Sequence, residues 1–207
     1  EMIIVKPIDA VGAWWVWHKD LSNTSQGFLQ LNTTAAEATN SSLWDNASPV
    51  SATTINANTA YINYATDNYI AYCFHSVSGY SKFGTYTGNA STTGPSVTLG
   101  FRPAFLMVKK SSDTGNWLMV DATRNPLGLT TLRINADSPN AEDSSADNNV
   151  EFTDTGFQIK TSSGGWNASG QSFIYMAFAG GMDSISDYND TGSIDSRVKA
   201  NPTYGQS

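Results

Sequence analysis

Residues 1–17, EMIIVKPIDAVGAWWVW, return as residues 104–120, AFLMVKKSSDTGNWLMV, at an offset of 103. Ile3, Ile4 and Val5 fall on Leu106, Met107 and Val108, and Trp14 falls on Trp117. Farther on, LQLN at 29–32 falls on LRIN at 132–135, and YIAYCF at 69–74 falls on FIYMAF at 173–178. Few residues are identical, but four segments keep their apolar class, their order and nearly their spacing, which is the signature of an internal repeat. The repeat predicts two β half-modules, residues 1–100 and 101–182. Residues 183–207 then form an extended connector or the start of a further unit. TYGQS at 203–207 reads as such an opening, comparable with GYSKFGTYTGN at 79–89, and Glu1 stands almost inside a core strand. Both features predict one segment of a longer, repeat-bearing polypeptide.

Each shared segment reads as a strand. The apolar runs at 2–5 and 105–108 suit strands covered on both faces. Leu29 and Leu31 alternate with Gln30, and Leu132 and Ile134 with Arg133, the period of two that marks one buried face. TDTG at 153–156 predicts a hairpin whose glycine takes positive φ, and SSGG at 162–165 a second turn. YIAYCF predicts a buried strand with Cys73 as inert packing. TTAAEATNSSLW at 33–44 offers a turn or two of helix and little else does. Four Glu and ten Leu stand against 22 Thr and 18 Phe plus Tyr. That bias favours strands joined by Asn, Ser and Gly turns. The expected fold is all-β, a lectin-like or jelly-roll-like β-sandwich of two pseudo-repeated halves.

Charge and composition exclude several function classes. The chain has 207 residues, a net charge of -7 and a sequence pI near 4.6. Its 11 Lys and Arg are spread mostly singly, so no basic stripe is available to neutralise a run of phosphates, and nucleic acid is not an expected partner. No apolar run approaches the roughly 18 residues of a membrane-spanning helix. A single cysteine rules out an internal disulfide and a cysteine-built zinc site.

The combination of MIIVK, WWVWHKDL, LQLNTTAAE, YIAYCFHSVSGYSKFGTYTGN, GFRPAFLMVKKSSDTGNWLMVDATRNP and FIYMAFA resembles a β-rich domain of tail-fibre and other virion structural proteins of tailed bacteriophages, many of them marine. YSKFGTYTGN, and TGNW followed by DATRNP, are its most specific motifs, and the likeness runs to about Ala179. The resemblance implies a repeat-bearing, lectin-like domain on an adsorption appendage. It implies no catalytic residues.

The residues themselves agree on chemistry. His18 and His75 each follow an aromatic residue at a strand end, without a serine or cysteine nucleophile in a recognisable elbow. His18 falls on Asp121, which argues against a shared catalytic role and for surface or cap hydrogen bonding. No carboxylate pair stands out for glycan hydrolysis. Trp14, Trp15, Trp17 and Trp117 read as packing. Trp44 in SSLWDN and Trp166 in GGWNAS sit among polar turn residues, so they are the candidate ligand-stacking residues. The acidic stretch 137–149 and the carboxylates Asp183, Asp187 and Asp190 are weak calcium candidates, without the spacing of an EF-hand. No other cofactor is expected. The Asn-x-Ser/Thr sequons follow from composition.

The expectation is a non-enzymatic module of a phage tail fibre or related appendage in the virion, acting as spacer or host-surface-binding unit. It would be homo-oligomeric, associated with other virion proteins, and in contact with a host surface glycan if it binds one. The alternatives are a carbohydrate-binding, lectin-like module and an extracellular bacterial adhesin or filament subunit.

Overall fold

The computed structural model describes residues 1–44, 50–51, 53–58, 61–125 and 129–180. The proposed connector and the calcium candidates Asp183, Asp187 and Asp190 lie outside the described residues.

The first repeat supplies β1 (Met2–Pro7), β2 (Trp15–His18), β3 (Gly27–Gln30), β4 (Ala38–Thr39) and β5 (Tyr69–Phe74). There follow β6 (Ser81–Thr87), β7 (Ser96–Thr98), β8 (Pro103–Lys110), β9 (Trp117–Asp121), β10 (Leu129–Thr130) and β11 (Ile134–Asn135). The chain continues through β12 (Val150–Thr153), β13 (Gly156–Ile159), a single helical turn α1 (Gly164–Asn167) and β14 (Ser172–Ala179). Every strand pairing is antiparallel. The strands form three sheets: a first sheet β4-β3-β2-β1-β5, a second sheet β11-β9-β8-β14-β6, and an outer sheet β10-β12-β13-β7. The protein is an all-β sandwich.

The first and second sheets repeat one another in register. Ile3 stands opposite Trp17 on one side and Cys73 on the other. Leu106, its counterpart, stands opposite Val120 and Ala177. Val5 lies between Trp15 and Ala71, as Val108 lies between Leu118 and Tyr175. The third segment slips. Val16 meets Leu29, but Met119 meets Ile134, so Leu29 corresponds to Ile134 and not to Leu132. A slip of two residues keeps the same side chains on the same face. Asn32 and Asp137 keep the shifted correspondence, because their side-chain oxygens accept the Trp14 N–H (3.1 Å) and the Trp117 N–H (2.9 Å).

Alternation along these strands builds a stack of layers. Met2, Ile4, Val16 and Leu29 of the first sheet pack against Met107, Trp117, Ile174 and Met176 of the second. The intervening residues of the second sheet, Leu106, Val108, Leu118, Val120, Phe173 and Tyr175, turn the other way onto Val150, Phe152, Phe157 and Ile159 of the outer sheet. Those of the first sheet, Ile3, Val5, Trp15 and Trp17, meet Leu43, Trp44 and Ile62 from the long β4–β5 connection. Each such side chain withdrawn from water contributes about 1.5–3 kcal/mol before the entropy of ordering it is counted. The second sheet is thus covered on both faces by sheets, while the first has a sheet on one face and irregular chain on the other.

Several local expectations need correction. β6 and β7 precede residue 101 yet pair with β14 and β13, so the sheets change over between Phe74 and Ser81. Residues 33–44 form β4 and turns in place of helix, since Glu37 is occupied in accepting from the Ser22 and Asn23 backbones (both 2.9 Å). Gly156 is absent from the positive-φ residues; a Cβ there would collide with the Val97 carbonyl, so close approach of β7 is what requires glycine. β5 is an exposed edge strand, and Cys73 is exposed, because among the described residues its apolar run lacks a neighbour on one side.

Candidate functional site

Trp44 and Trp166, expected at surface turns, are both completely buried. Trp44 Nε1 donates to the Gly27 carbonyl (3.1 Å), and Trp166 Nε1 donates to Asn148 Oδ1 (3.3 Å). Around Trp166 the polar neighbours are consumed internally. Asn167 Nδ2 donates to Asn89 Oδ1, Ser91 C=O and Thr161 C=O, and Tyr86 Oη donates to Trp166 C=O (2.8 Å). Polar sequence context here reflects satisfied backbone, with the indole driven inward by its apolar area. Neither residue is available to stack on a ligand.

His18 is also buried, correcting the surface reading. Its Nδ1 accepts from the Asp20 N–H (3.2 Å), and burial pushes the imidazole down to about 4, keeping it neutral. Lys109 is buried between the first and second sheets, donating from Nζ to the carbonyls of Gly115 (2.8 Å) and Thr34 (3.2 Å). Burial lowers its ammonium to about 8. These two groups pack the interior.

The acidic stretch 137–149 is bound to its own chain. Asp137 accepts from the Trp117 N–H and the Asn116 side chain, Glu142 from Arg124 (2.7 Å), and Asp143 from Arg133 (2.6 Å). The Ser145 amide is the main group holding the Asp143 carboxyl below its usual range. Among the described residues no group of three metal-ligating side chains comes together.

Among the described residues, an open apolar surface lies on the first repeat. Trp14, at the start of β2, and Tyr72, on β5, straddle β1 and stack with ring centroids 6.5 Å apart and planes 19° apart. Tyr72 is 42% exposed and Ile70 39%, whereas their counterparts Met176 and Ile174 are 8% and 1% exposed. Trp117, the counterpart of Trp14, is 1% exposed and its Nε1 donates to the Gln30 carbonyl (2.9 Å). On the opposite face of β5, a cleft of about 230 Å³ is lined by Ile3, Cys73, Ile55 and His75. The Glu1 carboxylate at its rim is taken up by the Ser76 N–H and hydroxyl.

The repeat assigned Trp14 to packing and so missed this surface. Its signal in the sequence is Tyr72 at the place of Met176, a ring with a polar tip where the second repeat has a buried thioether. The arrangement offers flat aromatic and apolar surface beside an unpaired strand edge. It suits stacking and strand pairing.

Residues 1–181 match the family described as a domain of unknown function, DUF7483, and the chain belongs to that family. No curated protein and no solved structure matches the chain.

Proposed function

We propose that the chain is a non-enzymatic structural module of a tailed-phage virion, a spacer or host-surface-binding unit of a tail fibre or related appendage. The observation that carries this reading is the duplication itself: two sheets of one register, packed on equivalent faces, with Trp44, Trp117 and Trp166 spent on the interior. Short strands tied by non-local pairing resist bending, and repetition lengthens such a body without a new fold. The resemblance of YSKFGTYTGN, and of TGNW followed by DATRNP, to a β-rich tail-fibre domain supports the virion setting of this reading. In this reading the module assembles with identical chains and with other virion proteins.

Mass spectrometry and immunogold labelling of gradient-purified phage particles test it. The chain is expected on the tail or its fibres; its absence from particles, with recovery on a bacterial surface, favours an adhesin or filament subunit instead.

One observation favours a second role within the module. The half-buried Trp14 and the exposed Tyr72 form an aromatic pair of the kind that stacks on sugar rings. Glycan-array binding by the wild-type chain that disappears in Trp14→Ala supports host-surface recognition there. Binding unchanged in that variant removes the pair from consideration, and no binding at all leaves the spacer role.

A further inference from the structure

β5 and β14 are counterparts, but they end differently. β14 pairs with β8 on one side and β6 on the other, while β5 pairs with β1 and, among the described residues, terminates its sheet. The Ile8 N–H donates to the Asn68 carbonyl (2.9 Å), which sets the alternation of the antiparallel ladder. Even-numbered residues of β5 therefore bond to β1, and Tyr69, Ala71 and Cys73 turn their N–H and C=O groups to the open side. The strand, YIAYCF, carries no charge, proline or bulge, the devices that normally blunt an edge.

The second repeat shows what closes such an edge. Phe83 of β6 lies opposite Met176, the counterpart of Tyr72, and Gly84 lies opposite Tyr175, the counterpart of Ala71. Beyond β6 the chain supplies Leu99 and Phe101, which join one buried cluster with Leu106 and Ala177. The counterparts of those last two, Ile3 and Cys73, line the 230 Å³ cleft. An unpaired ladder, an exposed apolar face and a cleft thus coincide where the second repeat has a strand, an aromatic ring and two apolar side chains.

We propose that the open edge of β5 is a strand-acceptor site. Its occupant is an extended segment of the β6 type, with the pattern SKFGTYT and a following Leu-Gly-Phe, supplied by another unit of the same kind. The incoming strand runs antiparallel to β5, with its phenylalanine opposite Tyr72 and its glycine opposite Ala71. The Leu and Phe that follow fill the cleft beside Cys73. Units would then join by sheet continuation, in whatever assembly they serve.

Fusing a second copy of residues 80–103 ahead of Glu1 on the full chain reproduces the natural spacing from β6 to β8. In the unfused chain the Tyr69, Ala71 and Cys73 amides are expected to exchange fast and the exposed Cys73 thiol to label readily. The fusion is expected to slow these amides and the thiol at least roughly tenfold. A fusion whose copies of Phe83 and Gly84 are replaced by Asp and Pro is expected to leave them fast. Addition of a free peptide of residues 79–89 to the unfused chain provides a second readout, with shifts expected at β5 and none from a scrambled peptide. Unchanged exchange in the fusion together with no peptide shifts overturns the proposal. So does equal protection by the Asp/Pro fusion. Protection already present in the unfused chain, accompanied by dimerisation, also overturns it, because a second copy's own edge would then be the occupant.

Discussion

The two repeats share a register and differ in what covers them. The second sheet lies between the first sheet and the outer sheet, so both of its faces are buried. The first sheet has the second on one face and the β4–β5 connection on the other, and its β5 edge is open. Equivalent residues therefore occupy unequal environments, and stability follows the environment. The local sequence of a strand sets its register and alternation. Its burial is set by strands encoded elsewhere.

The largest test of the difference is at the two cover tryptophans. Trp44→Ala and Trp166→Ala each remove a fully buried indole and leave a cavity, and each is expected to cost about 3–5 kcal/mol. Trp166 is braced by Tyr86 and Asn148, within a cover made of paired strands, so its loss should lower the denaturation midpoint by every probe. Trp44 anchors irregular chain, so its loss should speed exchange in residues 53–58 before the sheets unfold. Identical exchange patterns in the two variants would erase the distinction between covers.

A test of similar size uses pH. His18 and Asp121 hold the same place, opposite Met2 and Phe105. His18 is buried and its folded value, about 4, lies below the ordinary 6.5. The unfolded chain therefore takes up a proton first as pH falls. Stability is full above about 6.5 and declines toward pH 4 by about 3 kcal/mol. Burial pushes the Asp121 carboxyl up, but hydrogen bonds from Arg124 outweigh this and hold it below its usual range. Its contribution is present above about 4 and is lost only at lower pH. Urea unfolding between pH 7 and 4 should lose its slope in His18→Gln; a slope that persists would assign the acid sensitivity to other groups.

Much of this was legible in the chain. The apolar runs at 2–5 and 105–108 gave the two central strands, because a strand buried on both faces needs no polar alternation. The third segment slipped because LQLN and LRIN match equally well in class at shifts of two, and only the partner strand fixes the choice. Trp44 and Trp166 were misplaced because four or five polar neighbours describe a turn's backbone and say nothing of what lies beneath it. YIAYCF predicts a buried strand because it is like FIYMAF; whether a strand lies beyond its edge is a long-range fact. The Trp14–Tyr72 surface was hidden for the same reason.

A more moderate effect is expected at Gly84, where β6 crosses Tyr175. A Cβ there would stand 2.5 Å from the Tyr175 hydroxyl oxygen and 2.8 Å from its Cζ. The tyrosine sits in a packed cluster with Phe157, so it has little room to give. Gly84→Ala is expected to cost about 1–3 kcal/mol. The double variant Gly84→Ala with Tyr175→Phe, which removes the nearest atom, should recover part of that loss. No recovery would place the strain in the strand itself.

The smallest effect is the most discriminating. Ile174 and Ile70 are the same residue in the same register, paired to Lys109 and Lys6. Ile174→Ala deletes buried methyl groups and should cost about 2–5 kcal/mol. Ile70→Ala truncates a side chain that is 39% exposed and should cost less, about 1 kcal/mol or under, in the isolated chain. Even Ile70→Lys should be tolerated there, since a charge on an exposed edge strand meets solvent. A loss for Ile70→Ala as large as that of Ile174→Ala would mean that the face is covered in solution. The two repeats would then be alike in burial as well as in register, and the cover would have to come from outside the described residues.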